Sequence, residues 1–332
     1  MAKKSVKVPV NLGQMLIVSF PGFSWNPVLE EVVCKRKAGG VIFFKENVPP
    51  SLAELKKFNA KIKKEGLRAS GIIPFITVDE EGGRVSRLRH LIGEHPPAME
   101  VGAKGPAEVR KNYLSLGRKV RSAGFNLTWA PVLDVHTNAQ NPVIGNRAFS
   151  SDPAVTAECG ASAIKGLRSA GLFTCGKHFP GHGDTFADSH LELPEVETEI
   201  GVLRERELVP FKRAVAEKAD FFMSAHVLYK KVDAKNCATF SKKILTNLLR
   251  REMGFKGLVV TDDLNMKAVG GTMRERIKRA LNAGADVLLV RDENPVAFMD
   301  TFEALIRDGG VDLGRIRESL RRIRRIKTRL KS

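Results

Sequence analysis

The stretch Ala170-Gly-Leu-Phe-Thr-Cys-Gly-Lys177 reads as a helix end, a glycine turn and a short apolar strand that closes on a lysine. The same device recurs elsewhere. Ala38-Gly39, Ala123-Gly124 and Ala283-Gly284 precede the apolar runs Gly40–Phe44, Phe125–Ala130 and Val287–Val290. A glycine at such a turn takes up the left-handed conformation that ends a helix. With Leu172–Lys177, the runs Leu16–Phe20, Pro74–Asp79, Phe221–His226 and Leu258–Asp262 complete a set of eight. Segments rich in Lys, Arg, Glu and Ala with helical periodicity separate them. Eight continuous apolar strands between helices predict a parallel sheet. Eight such units in 332 residues predict an α/β fold, one (β/α)8 TIM barrel spanning 1–332, with an open doubly wound sheet as the alternative.

The connections differ at the two ends of the strands. Helix-to-strand turns are short, whereas the strand-to-helix loops after Asp79 and Lys177 run to about Pro106 and Glu199. In a barrel these long loops share one face, where active sites sit. All seven histidines, His90, His95, His136, His178, His182, His190 and His226, fall at or after strand ends and in no predicted helix. The expectation is one titratable site on that face.

Composition narrows the class. No Pro- or Ser-rich linker, low-complexity segment or short repeat interrupts the chain, and 43% hydrophobic residues suffice for a large core. No apolar run approaches the ~20 residues that span a bilayer. Met1 to Val10 is basic without a signal-peptide apolar core, so the expected location is the cytoplasm. Cys34, Cys159, Cys175 and Cys237 are scattered and contain no C-x-x-C pair, which argues against disulfide and metal frameworks.

The net charge of +18 is partly local: Arg315 to Lys331 carries nine basic residues and one acid. Ile316, Leu320, Ile323, Ile326 and Leu330 recur there at helical spacing, which predicts a C-terminal amphipathic helix with a basic face. Nucleic-acid or anionic-membrane binding is one reading of that face. Without aromatic interleaving or a binding motif, a solvated helix face is the expected one.

Three acidic strand ends stand out: Asp79, Asp134 and Asp262. A carboxylate at an inward-facing strand end is costly unless it is paired or used, and three around one ring favour use. The densest segment is Gly176-Lys-His-Phe-Pro-Gly-His-Gly-Asp-Thr-Phe-Ala-Asp-Ser-His190. Its histidine spacings lie in a Gly/Pro-rich loop rather than on one helical face, a weak metal-ligand set, so no metal or cofactor is expected. Lys177 as a Schiff-base lysine is a second option. Asp188-x-His190 suits a general acid/base, because an adjacent carboxylate fixes the imidazole tautomer and stabilises its cation.

On these motifs the sequence resembles the family-three glycoside hydrolases, and among them the cytoplasmic β-N-acetylglucosaminidases (β-hexosaminidases) that recycle peptidoglycan. The most specific motif is Lys177-His-Phe-Pro-Gly-His-Gly-Asp-Thr with Asp188-Ser-His190. Val78-Asp-Glu-Glu-Gly-Gly-Arg-Val-Ser-Arg87, Asn141-Pro-Val-Ile-Gly-Asn-Arg147 and Thr261-Asp-Asp-Leu-Asn-Met266 follow. The resemblance implies that Asp262 is the nucleophile of a retaining enzyme, with His190 as acid/base and Asp188 as its partner; two tryptophans, Trp25 and Trp129, are few for a long polysaccharide cleft, so a small pocket and exo action are expected. It implies that Asp79, Arg87, Arg147, Lys177 and His178 hold sugar hydroxyls, while His226 and Met266 match flanking positions without a role. It also implies a carbohydrate substrate containing N-acetylglucosamine, a muropeptide, with no obligate nucleic-acid partner. Cys237, Phe240 and Trp129 depart from the family pattern and are expected to lie away from the catalytic set. A glycoside phosphorylase, a β-glucosidase and a nucleic-acid- or surface-binding pseudoenzyme are the competing readings; a neutral histidine in place of a carboxylate would not repel phosphate.

Overall fold

The computed structural model describes residues 11–186 and 193–330. The apolar runs form eight short parallel strands: β1 (Leu16–Val18), β2 (Gly40–Phe43), β3 (Phe75–Val78), β4 (Leu127–Thr128), β5 (Phe173–Phe179), β6 (Phe221–Ser224), β7 (Leu258–Thr261) and β8 (Leu288–Val290). Each neighbours the next in sequence, and β8 pairs with β1 through Leu16–Leu288, Ile17–Leu289 and Val18–Val290. A parallel bridge between Val260 and Val287, with Thr261 N donating to Val287 O at 3.1 Å, closes the ring between β7 and β8. The open doubly wound sheet is thereby excluded.

The helices return each strand to the start of the next. They are α1 (Leu52–Ser70), α2 (Pro106–Ser122), α3 (Pro153–Ser169), α4 (Leu208–Ala216), α5 (Met273–Ala283) and α6 (Pro295–Arg307), with π-helical turns at Glu30–Lys35 and Lys243–Glu252. Local sequence sets their ends. Ser51 and Glu54 cap each other's backbone at the start of α1, as Thr272 and Glu275 do at the start of α5. Gly124, Gly171 and Gly284 take positive φ at the helix-to-strand turns, as expected. Gly39 does not. Lys37 holds the left-handed position there, and Gly39 is needed because a methyl group would lie 2.1 Å from the carbonyl oxygen of Gln14.

The C-terminal helix α7 (Leu313–Lys327) buries Ile316, Ile323 and Ile326 as the periodicity predicts. Its basic side is not simply solvated. Arg315 Nη2 and Arg322 Nη1 reach Asp286 Oδ1 at 3.0 and 3.1 Å, and Arg250 takes the other oxygen of the same fully buried carboxylate. Lys327 Nζ turns inward to Gln14 Oε1 at 2.8 Å, and Arg329 pairs with buried Asp220. Asp220 stands immediately before β6 and Asp286 two residues before β8. The cations of α7 therefore neutralise carboxylates at the N-terminal end of the barrel, where an unpaired buried charge would be costly.

Candidate active site

The C-terminal ends of the strands surround a cavity of about 230 Å3. Ile42, Trp129, Met223 and Leu289, from β2, the end of β4, β6 and β8, give it an apolar lining. Asp79, Glu81, Arg87, Arg147, Lys177, His178 and Asp262 surround it with charge and hydrogen-bonding groups. Lys177 and His178 are both on β5, where pairing with β6 shifts register between Gly176 and Phe179, and both side chains line the cavity.

The loop after β3 places the next two groups. It folds back as a short hairpin, Glu80–Gly82 against Val85–Ser86. Gly82 and Gly83 have φ of +92° and +56°, and a methyl group on Gly82 would lie 2.7 Å from Pro96 O, so the turn requires glycine. Glu80 points away from the cavity and binds Ser86 Oγ and the Leu88 N–H, which fixes the stem below Arg87. Glu81 points in. Its carboxylate receives Arg147 Nε and Nη2, both at 2.9 Å, and Lys177 Nζ at 2.6 Å. Lys177 Nζ also reaches Asp79 Oδ1 at 2.9 Å.

The belt Asp79–Lys177–Glu81–Arg147 balances two acids against two bases. Burial pushes the Glu81 carboxyl up, but the charges of Arg147 and Lys177 outweigh it and hold the group well below the usual carboxylate range. Burial works against the Lys177 ammonium too, and Asp79 and Glu81 more than offset it, so its pKa is raised. A lysine held protonated by two carboxylates is not a free amine, which removes the Schiff-base option.

Asp134 is not part of the cavity wall. It is fully buried behind it, with Oδ2 2.7 Å from His178 Nδ1. Its Oδ1 accepts from the backbone N–H of His178 at 3.1 Å and of His182 at 2.7 Å. A carboxylate only accepts, so Nδ1 of His178 carries its proton toward Asp134 and Nε2 is left for the cavity. Burial, then the neighbouring His178, lowers the pKa of His182 to about 4.

Asp262 follows β7. Its backbone N–H donates to Ser224 O at 3.3 Å, and its Oδ1 accepts the N–H of Asp263 at 2.8 Å. Burial raises its carboxyl, but the imidazoles of His226 and His178, the Asp263 N–H and the Lys177 ammonium bring it below the ordinary value. His226, a flanking motif residue, gains a structural role. Its Nε2 is 3.0 Å from Asp263 O and its Nδ1 2.8 Å from Thr239 Oγ1. A carbonyl cannot donate, so Nε2 is the protonated nitrogen, and His226 pins the backbone directly after Asp262.

The geometry thus gathers Asp79, Arg87, Arg147, Lys177, His178 and Asp262 around one cavity. Asp188 and His190 lie outside the described residues. Glu81 was missed, although it stands inside the quoted Val78–Arg87 motif; an acid two residues beyond Asp79 was the available signal. The histidines do not all converge. His178 and His182 line the cavity, whereas His90, in the short helix Arg89–Ile92, is exposed, and His95 and His136 do not line it. The expectation for Trp129 is also corrected: it is fully buried and part of the cavity wall, packed edge-on to Phe221 at 6.1 Å.

A closed barrel with paired acids and bases at the carboxyl ends of its strands defines a candidate hydrolase of the TIM-barrel class. The family model "Glycosyl hydrolase family 3 N terminal domain" matches residues 7–326, and the chain belongs to this family. It is 41% identical over 269 residues to a β-hexosaminidase of Nitrosospira multiformis, an alignment covering 78% of this chain and 74% of that one. It is 31% identical over 331 residues to β-hexosaminidase A of Pseudoalteromonas piscicida, covering 92% of this chain and 55% of the relative. A family 3 β-N-acetylglucosaminidase structure from a Paenibacillus species superimposes with a TM-score of 0.93 at 34% identity, covering 97% of this chain and 62% of that one. The chain therefore spans little more than half the length of some of its relatives.

Proposed function

We propose that this protein is a retaining exo-β-N-acetylglucosaminidase that hydrolyses terminal β-linked N-acetylglucosamine through a covalent glycosyl-enzyme. The observation that carries this reading is Asp262: a carboxylate held in its anionic form in the wall of a small cavity lined by charged hydrogen-bonding groups. A nucleophile must be unprotonated, and a cavity of about 230 Å3 suits one terminal sugar rather than a long chain. The names of the β-hexosaminidase relatives and the β-N-acetylglucosaminidase neighbour support the same activity.

In the proposed reaction an Asp262 oxygen attacks the anomeric carbon as the bond to the leaving oxygen breaks. His190, with Asp188 as partner, gives that oxygen its proton. The neutral His190 then takes a proton from water, the hydroxide attacks the anomeric carbon, and the ester bond to Asp262 breaks. Retaining glycosidases use a nucleophile and an acid/base in these two displacements, and an imidazole with an unperturbed pKa of ~6.5 serves both proton transfers near neutral pH. Asp79, Lys177, His178, Arg147 and Arg87 are the hydroxyl-binding groups of this scheme. Arg87 Nε is buried without a hydrogen-bond partner among the described residues, a donor that a bound sugar oxygen would satisfy. Glu81 binds no sugar in the scheme; it sets Arg147 and Lys177 in place.

The proposed natural substrate is a peptidoglycan fragment and the proposed location the cytoplasm. No described helix is long and apolar enough to cross a membrane. The test compares aryl β-glycosides bearing a 2-acetamido or a 2-hydroxyl group, with and without phosphate. The expected result is preference for the acetamido sugar and release of the free sugar in both buffers. Preference for the glucoside, or a sugar 1-phosphate product, would overturn the reading.

A further inference from the structure

The N-terminal end of the barrel, opposite the active site, carries three grooves that share their walls. The largest, about 760 Å3, runs between Gln14, the end of α1 and the outer side of α7. A second, about 300 Å3, meets it at Leu67 and Ile73, and a third, about 250 Å3, meets it at Leu330. Arg321, Arg324 and Lys327 line the first. Lys56, Lys63 and Lys64 line the second, and Arg121, Arg168 and Arg329 the third. Among the described residues no Asp or Glu lines any of them.

Some of these basic groups are spent on the fold: Lys327 is buried, which pushes its pKa well down, and turns inward to Gln14, while Arg329 pairs with Asp220 and Arg168 donates to the carbonyls of Glu217 and Lys218. Arg321, Arg324 and Lys64 are different. All three are exposed and have no ion pair among the described residues. Lys63 shows the crowding: burial, and then the charge of Arg121, lower its pKa.

We infer that this grooved basic face binds a linear phosphodiester chain, independently of the catalytic cavity. A field of one sign over connected grooves collects a polyanion. The form of the face favours a chain over a membrane. Among the described residues the large hydrophobics that are exposed, Phe23, Val155, Phe186 and Val202, line none of these grooves, so none of them would insert into lipid here. Phe173 is the single aromatic residue on the described walls, so the backbone phosphates rather than stacked bases would be held.

The probes are a fluorescein-labelled 20-nucleotide oligothymidylate and, as competitor, a poly(glycerol phosphate) without bases. Anisotropy is followed as salt is raised. Each phosphate neutralised on a single strand contributes about 0.7 to the slope of log K against log salt, so four to five contacts give a slope of about −3. In Arg321→Glu/Arg324→Glu/Lys64→Glu the affinity should fall at least about tenfold and the slope lose about 2, with glycosidase activity and melting temperature unchanged. Competition by poly(glycerol phosphate) identifies the shared backbone as the ligand. Binding confined to the oligonucleotide, without competition by the base-free chain, would mean that bases are held and would overturn the inference. A slope shallower than −1, equal binding by the triple variant, or binding to phosphatidylglycerol vesicles but to neither chain would overturn it.

Discussion

The carboxylate of Glu81 receives two parallel hydrogen bonds from Arg147, Nε to Oε2 and Nη2 to Oε1, each 2.9 Å, while Lys177 Nζ closes on Oε1 at 2.6 Å. Breaking a buried ion pair from one side leaves the partners uncompensated and costs about 3–5 kcal/mol. Glu81→Gln should destabilise the protein by that order in urea unfolding. It should also impair turnover, because Arg147 and Lys177 lose the anion that orients them. The sign with pH follows from the depressed pKa of Glu81. Its stabilisation is present above the unfolded value of about 4.5 and is lost as pH falls below it. The variant should lose less stability than wild type on acidification below about pH 4. Equal stability and equal acid sensitivity would show that the trio is not coupled as described.

At the other end of the barrel, Asp286 gathers Arg250, Arg315 and Arg322. Burial raises its carboxyl, but the three guanidinium groups bring it down to about 2 from 3.8. The linkage is worth on the order of 2 kcal/mol, present above pH 4 and lost as pH falls toward 2. Asp286→Asn should lower the melting temperature at pH 7 and flatten the stability profile between pH 4 and 2. A neutral effect at pH 7 would mean that α7 is held by its apolar face alone.

Asp134 reaches the site only through others, holding the His178 ring and the backbone of His178 and His182. Asp134→Ala should lower kcat/KM by roughly 10²-fold, since small displacements of positioned groups cost that much. It should do so in proportion for good and poor aryl leaving groups, because Asp134 is assigned no proton transfer. A loss confined to poor leaving groups would place Asp134 in the acid step instead.

His226 offers a separate test of positioning. Its Nε2 holds the carbonyl of Asp263. His226→Ala should lower kcat with little change in KM, because the contact sets the nucleophile rather than the sugar. His226→Gln, which can still donate to the carbonyl, should recover part of the rate. An alanine variant as active as wild type would remove His226 from the account.

The barrel was readable because each strand is a compact apolar run and several helix ends carry an Ala-Gly signal; eight units leave few architectures. Asp79 and Asp262 were readable as acidic strand ends and Lys177 as the head of the dense Gly176–His190 segment, whereas Arg147 came from the family resemblance alone. Glu81 was not, because its burial is tolerable only through Arg147, 66 residues away, and Lys177. The arginines of α7 misled for the same reason. Asp286, their partner, and Asp220, which pairs with Arg329 just beyond the helix, stand one or two residues before strands distant in sequence, so a helix with a basic side looked solvated when part of it was paired. Gly39 shows the local limit: an Ala-Gly turn identifies a helix end but not whether glycine serves φ or close approach.

The central claim is that Asp262 is the nucleophile. The most direct measurement is release of p-nitrophenol from p-nitrophenyl β-N-acetylglucosaminide by the wild-type protein and by Asp262→Asn. The two side chains are nearly isosteric, so the fold should be kept while the attacking oxygen loses its charge. The account expects kcat/KM to fall at least about 10³-fold, with an unchanged melting temperature. A variant within tenfold of a fully active wild type would contradict it.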